Sequence, residues 1–117
     1  MKNKIKAVHE FHKAFGLGIQ NSPTAQLEFN RNLLRYKLMR EENEEYLDAA
    51  NNKDLVEVAD ALGDMLYILC GTIIEHGMQH KIEEVFNEIQ KSNMSKLGAD
   101  GKPIFREDGK VLKGPNY

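Results

Sequence analysis

Nine carboxylates fall between residues 41 and 64: Glu41, Glu42, Glu44, Glu45, Asp48, Asp54, Glu57, Asp60 and Asp64, against the single cation Lys53. Their spacing sorts them. Glu42 and Glu45 are three apart, as are Glu57 and Asp60, with Asp64 four further on, so each set projects from one face of a helix. Glu42 and Glu45 also continue a stripe marked by Leu27, Leu34 and Leu38 and followed by Ala49, where a helix presents its core positions. Carboxylates turned inward repel one another and lose hydration. A bound divalent cation relieves both penalties. An all-oxygen donor set suits a hard ion, Mg²⁺ or Mn²⁺. Zn²⁺ more often recruits Cys or His, and neither occurs in this stretch. Glu44 and Asp48 fall off the stripe and read as solvated. Glu41 and Asp64 border it, where outer-shell, second-metal and general-base roles are open to them.

Positioning these groups takes a helical hairpin. A run without Gly or Pro from Thr24 to about Ala50 reads as one long helix, with Ser22 or Thr24 as its cap and Pro23 near its first turn. "ANNKD" reads as a turn, and Asp54 to about His76 as a second long helix ended by Gly77. On that helix Glu57, Asp60 and Asp64 share a face with Tyr67, Gly71 and Ile74. A neighbouring stripe of Leu55, Ala59, Leu62, Leu66, Leu69 and Ile73 is apolar. With the turn centred near Asn51, Glu42 stands opposite Asp60 and Glu45 opposite Glu57. The two pairs then form a four-cornered cluster.

The flanks complete an all-α reading. Ile5, Val8, Phe11 or His12, and Phe15 predict an amphipathic helix over residues 2–15, stopped by Gly16 and Gly18. Residues 79 to about 91 form a last helix with Ile82, Val85, Phe86 and Ile89 on one face. Residues 98–117 form a basic arm, irregular or a short β-hairpin, since "PIF" and "KVL" flank "REDG". The expected architecture is helical hairpins packed into a four-helix-bundle-like core, in one domain over residues 1–117.

Composition narrows the function classes. A net charge of −2 argues against binding a nucleic acid polymer. The charge is unevenly placed, however. Lys91, Lys96, Lys102, Lys110 and Lys113 follow the acidic middle, as if a cation site and an anion site served one ligand. The lone Cys70 lies in an apolar helical run and reads as a small core residue. The longest apolar run, Met65 to Ile74, is too short to span a bilayer, and no signal peptide is visible, so a cytoplasmic protein is expected.

The stretch Glu41-Glu42-Asn43-Glu44-Glu45, followed by Glu57-Val58-Ala59-Asp60, resembles the E-E-x-x-E … E-x-x-D signature of the all-α nucleoside triphosphate pyrophosphohydrolases. "VHEFHKAFG", "DALGDMLYILCGT" and "SNMSKLGADGKPIFREDGKVLKGPNY" look like its MazG-related, phosphoribosyl-ATP pyrophosphohydrolase-like branch. The resemblance covers essentially the whole chain. It implies that Glu42, Glu45, Glu57 and Asp60 hold Mg²⁺, and that a nucleotide is cleaved between its α- and β-phosphates. It also implies a homodimer or homotetramer. Glu41 or Glu45 is then the candidate general base. Asp64, Lys91, Asn93 and Lys96 are candidate substrate contacts, as are His12 and Phe15 beside the first loop, where an aromatic face can stack a base. The competing reading is a catalytically idle helical oligomer that binds Mg²⁺-nucleotide or a partner protein.

Overall fold

The computed structural model describes residues 1–28, 30–115 and 117. Among them are four α-helices: α1 (Lys2–Phe15), α2 (Arg31–Asn51), α3 (Leu55–Glu75) and α4 (Ile82–Met94). The all-α expectation holds, and the only β pairing among the described residues is one isolated antiparallel bridge, Phe105 to Val111. The chain divides into two compact units, Met1–His80 and Lys81–Tyr117.

In the first unit α3 is the central element and packs against both α1 and α2. Val8 on α1 meets Cys70 and Ile74 on α3, with Ile5, Ile19 and Leu66 around them. Cys70 is fully enclosed, as its apolar setting predicts, and burial pushes its thiol pKa up. Gly16 ends α1 in the left-handed conformation, its N–H donating to the carbonyls of His12 and Lys13.

Residues 16–24 are loop, but the helix expected to start at Thr24 begins only at Arg31, and residues 24–28 are loop as well. Backbone bonds tie this loop to the far end of α3. Gln20 N–H donates to Ile74 O at 3.2 Å and Thr24 N–H to His76 O at 2.9 Å. Neither Ser22 nor Thr24 caps α2; Asn30 takes the cap position without a side-chain bond.

The α2–α3 connection is short. Lys53 takes a left-handed φ of 54°, and Asp54 caps α3 by accepting the Glu57 N–H at 3.1 Å. The turn therefore pivots on Lys53 instead of Asn51. Opposing residues shift by about one helical turn, which places Asp64 and not Asp60 opposite Glu42.

The second unit holds α4 and the C-terminal arm. α4 begins and ends about three residues later than the sequence suggests, so Lys91 and Asn93 lie within it. The arm forms a tight turn: Arg106 N–H donates to Lys110 O and Leu112 N–H to Ile104 O, both at 2.7 Å. Tyr117 lies between Lys113 and Lys96, whose ammonium groups stand 4.7 and 5.6 Å from its ring centre.

Candidate metal centre

The inward face of α2 is unusual in its chemistry. Arg35 and Ala49 are buried on it, Arg31, Leu38 and Glu42 are half-buried, while Leu34 is 40% exposed. The Leu27–Leu34–Leu38 stripe is thus corrected at its upstream end: Leu27 precedes the helix, and arginines take the core positions. From Leu38 onward the expected stripe holds at Leu38, Glu42 and Ala49, while Glu45, expected inward with them, is exposed.

Glu42 and Glu45 on α2 and Asp64 on α3 each offer an oxygen within 4.8 Å of the others. Glu42 is the most confined of the three. Its Oε2 is enclosed and meets no donor among the described residues. Its carboxyl pKa is pushed up to about 7, first by loss of hydration, then by contact with Glu45 and by the negative charges of Glu45, Asp64 and Asp60. An acceptor buried among acceptors is a site in want of a cation. The donors are all carboxylate oxygens, which fits a hard divalent ion.

The remaining carboxylates of the sequence pattern are placed differently. Asp60 is near enough to raise the Glu42 pKa, but it lies outside the three-acid group. Glu57 is also outside it, in the exposed first turn of α3. Glu41 is exposed beside Glu42. Asp64 was expected at the rim of the cluster and instead supplies one of its three corners. The signal that finds it is the position of the turn, through the left-handed residue before Asp54.

Phe15 is 68% exposed and stacks on Phe11 with ring centres 4.4 Å apart; Phe11 meets the Tyr67 ring edge-on at 5.6 Å. Tyr67 lies one helical turn beyond Asp64, so an open aromatic surface adjoins the acids. His12, expected among the substrate contacts, is turned the other way. It is 2% exposed, its Nδ1 donates to Gly18 O at 2.9 Å, and its ring lies against Gly71. That ring belongs to the α1–α3 packing. In the second unit Lys91 and Asn93 are exposed, and Asn93 lines a cavity with Glu88, Ser92 and Tyr117.

At the other end of the hairpin lies a group that the sequence reading missed. Arg31 on α2 donates through Nε and Nη2 to the two oxygens of Glu75, each at 2.8 Å. Arg35 adds Nη1 to Glu75 Oε2 at 3.0 Å. Glu75 is 2% exposed. Arg31 and Glu75 stand equally far from Lys53 in sequence, as do Glu42 and Asp64, a pairing that shows only once Lys53 is known as the pivot.

Residues 8–93 match the family described as Phosphoribosyl-ATP pyrophosphohydrolase. A relative in Acanthamoeba polyphaga mimivirus, Uncharacterized protein L479, is 30% identical over 115 residues, covering 92% of this chain and 45% of its own length. The chain therefore spans less than half of that relative.

Proposed function

This chain belongs to the phosphoribosyl-ATP pyrophosphohydrolase family, within the MazG-like all-α pyrophosphohydrolases, and we propose that it is a Mg²⁺-dependent nucleoside triphosphate pyrophosphohydrolase, with Mn²⁺ able to substitute. It cleaves the α–β phosphoanhydride of an NTP or dNTP to a monophosphate and pyrophosphate. The observation that carries this reading is the enclosed, donorless Oε2 of Glu42 among the oxygens of Glu45 and Asp64.

Glu42, Glu45 and Asp64 would hold the ion, with Asp60 and Glu57 as the further carboxylates of the centre. When bound, the ion neutralises phosphate charge and makes water a better nucleophile. Glu45, within the cluster, and Glu41, exposed beside it, are the two carboxylates able to take the proton of the attacking water. Phe15, with Phe11 and Tyr67, offers a face for the base. Lys91, Asn93 and Lys96 are the proposed phosphate and sugar contacts from the C-terminal unit, with residues 98–117 as the basic arm of one catalytic domain.

A homodimer or homotetramer is part of the proposal. Leu55, Leu62 and Leu69 repeat every seven residues along α3 and are 80%, 50% and 41% exposed, which suits a helix awaiting a partner helix. Among the described residues no helix is long and apolar enough to cross a membrane, and the proposed location is cytoplasmic.

The test is pyrophosphate release from a panel of NTPs, dNTPs, non-canonical nucleotides and phosphoribosyl-ATP, with and without Mg²⁺. Metal-dependent release supports the reading, and the ranking of substrates identifies the base. No release from any member, with Mg²⁺ still raising the Tm, would favour the idle nucleotide-binding oligomer.

A further inference from the structure

The α2 helix poses a problem of orientation. Leu33, Leu34, Tyr36 and Leu47 face outward, while Arg35 and Ala49 are buried. Hydrophobic burial is not directional, and turning α2 by one residue would bring Leu34 to the position of Arg35. The same turn would bring Lys37 to the place of Leu38 and Asp48 to that of Ala49, so apolar packing by itself sets the rotation weakly and a directional interaction is needed to fix it.

The arginine–glutamate group has the required directionality. The Arg35 guanidinium reaches three acceptors at once: Nε donates to Thr72 Oγ1 at 3.0 Å, Nη2 to Ile68 O at 2.8 Å, and Nη1 to Glu75 at 3.0 Å. Thr72 is itself held, its hydroxyl donating to Ile68 O at 2.9 Å. Gly71 makes room for the fork, since a Cβ there would stand 2.5 Å from Arg35 Nη2 and 2.7 Å from His12 Nε2. A planar fork with three fixed acceptors sets both rotation and axial position, which a bare charge pair does not. Arg35 and Glu42 are two helical turns apart on one stripe, so any rotation that moves one moves the other equally.

We propose that the Arg31–Arg35–Glu75 clamp is the positioning element of the acidic centre: it fixes the rotation of α2 on α3 that brings Glu42 and Glu45 to Asp64. Specifying register is the best-attested use of buried ionic groups. The inference rests on the reading of those three acids as a metal site.

Arg35→Lys tests it, because the charge is kept and only the fork is lost. Two measurements are made on the full chain, at a temperature where circular dichroism shows wild-type helicity. The first is Mn²⁺ affinity, from the electron paramagnetic resonance of free Mn²⁺. The second, without metal, is the position of the Met39 and Met65 ε-methyl carbon signals, since both residues line one cavity along the α2–α3 groove. The expected result is about tenfold weaker Mn²⁺ binding and displaced methionine signals. A purely stabilising role would lower the Tm and move neither. Unmoved methionine signals overturn the proposal, as does unchanged affinity where the wild type binds Mn²⁺. A wild type that binds no Mn²⁺, with methionine signals that still move, overturns the metal reading and leaves the clamp setting the rotation. If Arg35→Lys does not fold, Arg31→Lys, at the more exposed arginine, is read by the same two measurements.

Discussion

At the Arg31–Glu75 end of the α2–α3 hairpin, each buried charge has a partner inside the chain. Both oxygens of Glu75 accept from arginines, and Arg35 directs its nitrogens at fixed acceptors. Burial pulls the Arg35 pKa down, and Glu75 opposes the shift. Two turns further along the same stripe, at Glu42, Glu45 and Asp64, three acids converge with no cation among the described residues. The same helix pair thus encloses carboxylate oxygen twice, once with compensation at Glu75 and once without at Glu42, whose neighbours Glu45 and Asp64 are exposed. The compensated end behaves as structure. The uncompensated end carries a cost that a proton or an external cation removes, and only the cation does so with all the carboxylates charged, which is how a binding site differs from a buried salt bridge.

The comparison breaks most sharply at Glu42. Glu42→Gln should lower metal-dependent turnover about a thousandfold, measured as pyrophosphate release, while raising the Tm of the metal-free protein by removing one of three repelling charges. Turnover at wild-type rates would show that the two ends do not differ in kind. Removing charge from the compensated end should have the opposite effect on stability. Glu75→Ala leaves Arg35 buried without its counter-charge and should cost about 3–5 kcal/mol, read from urea unfolding.

A pH titration sharpens the contrast further. The Glu42 carboxyl has its folded pKa raised from 4.5 to about 7, so the folded state keeps a proton that the unfolded state releases. This contribution is intact below about pH 4.5 and is lost as pH rises to about 7, so metal-free stability should fall across that window. Saturating Mg²⁺ should shrink the fall, and Mn²⁺ should bind more tightly as pH climbs through it. A fall of equal size with and without metal would detach Glu42 from the ion. The smallest effect concerns the pivot between the ends: Asp54→Ala removes the α3 cap and should cost about 1 kcal/mol, without changing the substrate ranking.

Much of this was readable from residue types. Ile5, Val8 and Phe15 mark α1 to its ends because an amphipathic helix with a glycine stop needs no tertiary help. The Asp54 cap and Gly77 frame α3 for the same reason. The start of α2 was not readable, since residues 24–28 carry no breaker and the bond from Thr24 N–H to the distant His76 carbonyl leaves no mark in the local sequence. Periodicity also led to Leu34 in place of Arg35, because a rule that places charge outside has no term for a guanidinium meeting a buried glutamate. The acids were found by spacing. Their pairing was displaced because nothing in "ANNKD" shows that Lys53, and not Asn51, adopts the left-handed backbone on which the hairpin turns.

That pivot restricts how such a chain can vary in length. Arg31 with Glu75, Arg35 with Gly71, and Glu42 with Asp64 are each symmetric about Lys53. One residue inserted within either helix, between the turn and the acids, would rotate everything beyond it by about 100°. The clamp and the carboxylates would then leave their places together. Between the two ends, insertions compatible with the fold come as matched pairs of about seven residues, two turns in each helix.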